Sequence, residues 1–281
     1  KGKISILTKE PTFTNVPEIS HDKPKEKKVE RAPYLFHLGI TEKSGKVIPK
    51  MADKFRQINK YLEIVEGLIK QANLPNNINV VDMGSGKGYL TFALYDYIQN
   101  NLKLDAKVIG IELRKELVDF CNTIAKKCNY ENLSFVSERI ENYKEKKIDV
   151  LIALHACDTA TDDAIYKGLL SKSKLIICAP CCHKQVRKSV EINTKNPILK
   201  HGIFQERQFE MVTDTLRALI LEKNDYKTKV FEFVSNEHTR KNIMLVGVKS
   251  NKPSSKNEVN NQISLLLNEY KVSHYLNDLT K

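Results

Sequence analysis

The sequence predicts an α/β fold: a doubly wound, mostly parallel sheet with an antiparallel last strand. Three observations carry this expectation. Short apolar runs alternate with helical stretches of roughly 10–15 residues, the pattern of parallel strands joined by crossover helices. One of those runs turns through a glycine-rich loop straight into a helix. The final two runs follow each other with no helix between them, so one of the two must run antiparallel.

The elements follow in order. Residues 51–70 carry Phe55, Ile58, Leu62, Val65 and Leu68 or Ile69 on one helical face, and Pro75 with Asn76 and Asn77 ends that helix. Strands are expected at residues 79–83, 107–113, 133–138, 148–156 and 174–180. Helices are expected at 89–102, 115–128, 159–170 and 209–224, and two pairing strands at 226–234 and 241–249. Residues 250–261 form a polar linker, and 263–279 have the periodicity of one closing helix.

Three prolines and the basic residues Lys23, Lys25, Lys27, Lys28 and Arg31 mark the beginning of the chain as polar. The expected organisation is a basic, largely extended arm over 1–48, a catalytic domain over 49–250, and a linker with a C-terminal helix over 251–281. The chain starts with Lys, so a piece of a longer protein is expected.

Composition excludes several classes. Of 281 residues, 41% are apolar and 28% charged, which is ordinary for a globular protein and unlike disorder, collagen or a disulfide scaffold. No apolar run approaches the ~20 residues of a membrane helix, so no membrane partner is expected. Six cysteines lie outside any disulfide framework, which points to a reducing, cytoplasmic setting. A net charge of +12 favours an anionic partner, most simply nucleic acid.

The strongest local signal is Val80-Val81-Asp82-Met83-Gly84-Ser85-Gly86-Lys87-Gly88-Tyr89. Such a turn lets backbone approach a ligand and aims helix N-terminal amides at it. A dinucleotide site wants G-x-G-x-x-G, whereas here the spacing is G-x-G-x-G with Tyr89 in place of the third dinucleotide glycine. Asp82, at the strand end, would repel a pyrophosphate but suits an ammonium group. A second acidic residue, Glu112, ends the next strand.

This combination resembles the class I S-adenosylmethionine-dependent methyltransferases and implies their Rossmann-like sheet and S-adenosyl-L-methionine as cofactor. By the resemblance, Asp82, Gly84, Ser85, Gly86, Gly88 and Tyr89 surround the methionine moiety, and Glu112 with Leu113 holds the ribose. Arg139 and Ile140 follow the third strand, where the family contacts adenine, and His155 ends the fourth.

The runs His155-Ala156-Cys157-Asp158 and Pro180-Cys181-Cys182-His183-Lys184 end the fourth and fifth strands. In open α/β sheets ligands sit outside the carboxyl ends of the strands, so both runs are expected at the reacting end of the cofactor. They are similar to the methyltransferase group that includes methyltransferase-like protein 25, and to eukaryotic tRNA 2′-O-methyltransferases with a Cys-Cys-His-His run. Here the run is Cys-Cys-His-Lys. RNA 2′-O-methyltransferases often use a Lys-Asp-Lys-Glu tetrad, and Lys54, Asp158, Lys184 and Glu237 occupy its four stations in order. His183 is a further catalytic candidate. Zinc at Cys157, Cys181 and Cys182 with the histidines is the competing chemistry. Adjacent cysteines rarely share one ion, so no metal is expected, and Cys178 and Cys181 read as core thiols.

The reading is therefore a methyltransferase acting on RNA, tRNA or rRNA, with a ribose hydroxyl favoured over a base nitrogen. Lys184, Arg187, Lys188, Lys195, Lys200 and Arg207 would track phosphates. A small-molecule or protein methyltransferase, or a non-catalytic cofactor- and RNA-binding module, are the alternatives.

Overall fold

A computed structural model describes residues 27–144, 147–154, 156–189, 196–233 and 242–281. Seven strands form one sheet: β1 (Asn77–Met83), β2 (Asp105–Glu112), β3 (Leu133–Ser137), β4 (Val150–Ala153), β5 (Leu175–Cys178), β6 (Tyr226–Glu232) and β7 (Ile243–Lys249). Their order is β3-β2-β1-β4-β5-β7-β6. The first five run parallel. Strand β7 pairs antiparallel with both β5 and β6, as the missing crossover helix requires. The order reverses at β1 and β4, and the cleft outside that switch point is where open α/β sheets bind ligands.

Two apolar layers cover the sheet, and strand pleating divides the residues between them. Val150 and Ile152 of β4 face one layer, Leu151 and Ala153 the other. The first layer holds α1 (Pro33–His37), α2 (Ala52–Gln71), α3 (Tyr89–Asn100) and α4 (Lys115–Lys127). The second holds α5 (Thr159–Leu170), α6 (Lys184–Ser189), α7 (Gly202–Lys223), α8 (Lys256–Tyr270) and α9 (Tyr275–Leu279). Among the described residues, no helix is long and apolar enough to cross a membrane.

Two expectations about the ends of the chain are corrected. Residues 27–48 are not an extended arm. Pro33 opens the short helix α1, which buries Tyr34 and Leu35 completely, and Ile40 follows them into the first layer. Tyr34 stacks on Phe92 of α3 at 6.3 Å. Its basic residues are partly neutralised, Lys28 by Glu66 at 2.9 Å and Lys27 by Glu30 at 3.5 Å. Residues 1–26 lie outside the described residues. The closing helix is two helices, because Lys271 takes a left-handed turn at φ 49° between α8 and α9. That turn lets Val272 and Leu276 enter the second layer.

Candidate active site

The glycine loop leaves β1 at Met83 and enters α3 at Tyr89. The Gly84 and Ser85 N–H groups donate to the Ile111 carbonyl at 2.8 and 3.0 Å, tying the loop to β2. Gly88 is the N-cap of α3 with φ 72°, a left-handed conformation that only glycine adopts freely. A Cβ there would also lie 3.1 Å from the Phe92 ring and 3.2 Å from Cys121 Sγ.

Asp82 is buried on the central strand, with Gly110 and Ile152 as its neighbours in the sheet. Thr91 Oγ1 of α3 donates to its carboxylate at 2.5 Å. Burial pushes the Asp82 carboxyl up to about 6, against the lowering effect of Thr91. Among the described residues no cation pairs with Asp82.

Glu112 is also buried, at the tip of β2. Its Oε2 accepts from the Gly86 N–H at 3.0 Å. Its Oε1 accepts from the Arg114 N–H and Nε–H, each at 3.0 Å. Burial works to raise this carboxyl, but the Arg114 donors, the Arg114 charge and Gly86 outweigh it and hold it below its ordinary value. The Arg114 side chain is 60% exposed, so it can leave the carboxylate without unfolding anything. A buried acid wanting a cation and an acceptor-only carboxylate one strand away match the ammonium and ribose diol of S-adenosyl-L-methionine. Nearby, Glu138 N–H donates to the Glu112 carbonyl at 3.3 Å and Ser137 Oγ to the Leu113 carbonyl at 3.2 Å. The exposed Leu113 and the half-buried Ile140 therefore flank Glu112, while Arg139 is exposed and paired with Glu141 at 2.6 Å.

On the acceptor side, Lys54 of α2 reaches the loop. Its Nζ lies 5.5 Å from the centroid of the Tyr89 ring and donates to Gln57 Oε1 at 2.6 Å. Burial lowers its pKa.

Asp158 caps α5 with φ 57° and ψ −122°, a conformation that costs an L-residue on the order of 1–3 kcal/mol. Two contacts hold it there. Its Oδ1 accepts from the Gln185 N–H at 3.0 Å, and its carbonyl accepts from Arg217 at 3.0 Å. The fourth-strand loop is thereby stitched to the start of α6.

Arg217, a fully buried residue of α7, ties that helix to α5 and to its N-cap. It also donates to Asp162 Oδ1 at 2.7 Å and Asp214 Oδ1 at 3.0 Å. Asp214 in turn lies 3.1 Å from His183 Nε2 with both carboxylate oxygens. Burial works to lower the Arg217 pKa, and the two aspartates outweigh it and raise it. His274 packs beside this network, and burial lowers it to about 4. The segment bearing it closes on α6: Gln185 Nε2 donates to the Ser273 carbonyl at 3.3 Å, and the Tyr275 N–H donates to Gln185 Oε1 at 3.4 Å. Tyr275 OH also donates to Asp163 at 3.1 Å.

The sequence-predicted residues therefore divide. Asp82, the glycine loop, Tyr89, Glu112 and Lys54 gather at one end of the sheet, and Asp158 and His183 stand at the ends of β4 and β5. Lys184 is exposed on α6, and no hydrogen bond or ion pair joins it to Asp158 or Lys54 among the described residues. The three described members of the tetrad, Lys54, Asp158 and Lys184, are not joined to one another by a hydrogen bond or ion pair. Glu237, His155 and Lys195 lie outside the described residues. His183 is buried and held by Asp214. Cys178 is buried in β5 as expected, but Cys181 is half-buried beside the exposed Cys157. Burial, then the flanking Cys157 and Cys182 thiols, push Cys181 up to about 12. Sequence reasoning missed Asp162, Asp214 and Arg217. Their signal was a charged Asp214/Arg217 pair one turn apart in a helix that is otherwise apolar on its inner face.

Residues 53–189 match a family described as a methyltransferase domain. A glutathione S-transferase C-terminal domain-containing protein from Bos taurus is 23% identical over 235 residues, covering 74% of this chain and 35% of that protein. The chain thus spans about a third of the length of that curated relative. Magnesium protoporphyrin IX methyltransferase from Synechocystis PCC 6803, solved with S-adenosylmethionine bound, is 17% identical. The match covers 78% of this chain and 90% of that one, with a TM-score of 0.45. An rRNA methylase from Streptococcus thermophilus is 14% identical over 69% of this chain and 95% of that one, with a TM-score of 0.40.

Proposed function

We propose that the S-adenosyl-L-methionine-dependent methyltransferase domain of this chain acts on RNA, tRNA or rRNA, and that a ribose 2′-hydroxyl is the acceptor. The observation that carries the RNA reading is a basic, aromatic rim on the second layer. Lys184, Arg187 and Lys188 of α6, Lys200 in the turn before α7 and Arg207 in α7 are all exposed. Among the described residues these five form no ion pair with one another or with any acid. Phe204 stands half exposed between them, edge-on to His201 at 5.8 Å. Cations that track phosphates beside an aromatic on which a base stacks are what single-stranded RNA requires. In this reading the runs around Cys157 and Cys181 resemble those of the group that includes methyltransferase-like protein 25.

The cofactor, when bound, supplies an electrophilic methyl group on a sulfonium. In this reading ionised Asp82 holds its ammonium group, the glycine-loop amides line its carboxylate, and Glu112 exchanges Arg114 for the ribose hydroxyls. Lys54, desolvated and therefore partly neutral more readily than a surface lysine, takes the proton of the acceptor hydroxyl. Strained Asp158 and the His183 loop shape the wall the acceptor meets, with Lys184 at its rim.

The test uses the full chain, labelled cofactor and total cellular RNA, followed by nucleoside analysis. A labelled 2′-O-methylnucleoside is expected. RNA affinity should fall steeply with salt, because each phosphate contact releases counterions. The variant Arg187→Glu, Lys188→Glu, Arg207→Glu should flatten that dependence. Label incorporation that survives ribonuclease, with a flat salt response, overturns the RNA assignment.

A further inference from the structure

Beyond the ends of β4 and β5, one side-chain cluster has the composition and spacing of a metal site. Cys157 leaves the end of β4, and Cys181 and Cys182 leave the end of β5. Their sulfurs all lie within 4.8 Å of one another. Cys157 Sγ is 3.4 Å from Cys181 Sγ, and Cys181 Sγ is 3.8 Å from Cys182 Sγ. We propose that these three thiolates bind one zinc ion and leave its fourth coordination position open.

The spacing is the first argument. Thiolates about 2.3 Å from a tetrahedral zinc lie roughly 3.8 Å apart; the Cys181–Cys182 separation matches that value and the Cys157–Cys181 separation is shorter. Neighbouring residues in extended backbone send their side chains to opposite faces. Cys181 and Cys182 instead bring both sulfurs to one side, which overcomes the usual objection to adjacent cysteines as joint ligands. This departs from the expectation that the run holds no metal.

The second argument is the scaffold. Soft thiolates from two loops bind well only if the loops are fixed relative to each other. Here Asp158, the residue after Cys157, is held by the Gln185 N–H and by buried Arg217. His183, the residue after Cys182, is held by Asp214, which the same Arg217 holds. One buried guanidinium thus fixes the residues that flank both halves of the cluster. The strained backbone at Asp158 turns the chain at this point, a distortion of the kind found where a site must be held in shape.

The chemistry balances without a redox step. Zinc displaces three thiol protons, and the resulting anionic centre sits in a chain of net charge +12. Cys157 is exposed, so the open position faces solvent and can take water or an oxygen ligand. Three protein ligands with one open position is the arrangement of zinc sites that meet substrate, whereas purely structural sites are closed.

The test uses the reduced full chain. Native mass spectrometry with zinc chloride should show one zinc per chain, and titration in buffers of different ionisation enthalpy should show proton release. Cobalt(II) should give thiolate-to-metal charge-transfer absorption whose intensity reports three sulfurs. Cys157→Ser and Cys181→Ser should each weaken zinc binding by about 100-fold or more, at or beyond the upper end of what loss of a supporting partner costs. Cys128→Ser, in the other layer, should leave it unchanged. If a serine variant fails to fold, the cobalt spectrum of the unmodified chain decides by itself. No zinc taken up, zinc retained in both folded serine variants, or a cobalt spectrum without sulfur bands overturns the proposal. Ready formation of a Cys157–Cys181 disulfide in a chain that takes up no zinc would instead mark the cluster as a thiol pair.

Discussion

Arg217 donates to the backbone carbonyl of Asp158 at 3.0 Å, across 59 residues of sequence. A charged side chain buried in the second layer thereby holds the backbone of a strained residue at the mouth of the site. Two further donors of the guanidinium go to Asp162 and Asp214, so both buried carboxylates share this one cation.

Replacing Arg217 by Met should be severe. It leaves two buried carboxylates without their cation, a loss on the order of 3–5 kcal/mol. At roughly 2–4 °C per kcal/mol for a chain of this size, thermal melting should fall by roughly 6–20 °C. Calorimetric melting of Arg217→Met and Arg217→Lys measures this. A shift under about 2 °C for the Met variant would show that the network contributes little.

Cofactor affinity should rise with pH. The Asp82 carboxyl sits at about 6 in the folded chain, above its ordinary 3.8. Between those values the folded chain binds more protons than the unfolded chain, so this group makes the free protein less stable as pH rises through that window. The cationic cofactor favours ionised Asp82, so binding should tighten as pH passes about 6 and then level off. Asp82→Asn should raise the melting temperature of the free chain at pH 7 and weaken cofactor binding. Titration calorimetry across pH 5 to 8 decides, and affinity independent of pH would count against the role of Asp82.

Glu112 and Arg114 should act in opposite directions. Glu112→Gln removes charged acceptors worth about 1.5–3 kcal/mol per hydrogen bond, which corresponds to roughly 10–100-fold in cofactor affinity. Arg114→Ala frees the same carboxylate and should leave binding equal or a few-fold tighter. A tenfold loss in Arg114→Ala would mean that the arginine itself contacts the cofactor.

Lys54→Ala should lower kcat by about 10²- to 10⁴-fold, the range for a positioned base, with cofactor affinity almost unchanged. Lys54→Arg should not restore it, because arginine stays protonated. Wild-type turnover in Lys54→Ala would remove the lysine from the chemistry.

The sheet, its antiparallel β7 and the cofactor end were legible because their signals are local. Asp82, the glycine spacing and Glu112 declare themselves within single strand–loop units. The Rossmann-like order then follows from crossover rules. The acceptor side was less legible because it is assembled by contacts between distant segments. Arg217 reaches Asp162 from 55 residues away, and His183 reaches Asp214 from 31. The tetrad spacing matched Lys184 by position in the chain, yet the short helix α6 leaves its side chain exposed. Tyr34, Leu35 and Ile40 were hidden by the basic residues just before them, whose charge suggested solvent for the whole segment. Sulfur convergence at Cys157, Cys181 and Cys182 depends on loop curvature that no spacing rule encodes.

The clasp between Gln185 and residues 273–275 makes the order of α5 and α6 depend on the last helix. A chain cut near residue 250 keeps all seven strands, the glycine loop and Arg217. It loses the Ser273 carbonyl and Tyr275 N–H that fasten α6, and the Tyr275 hydroxyl that fastens α5 through Asp163. The glycine loop is tied to β2 by bonds that lie wholly within residues 84–111.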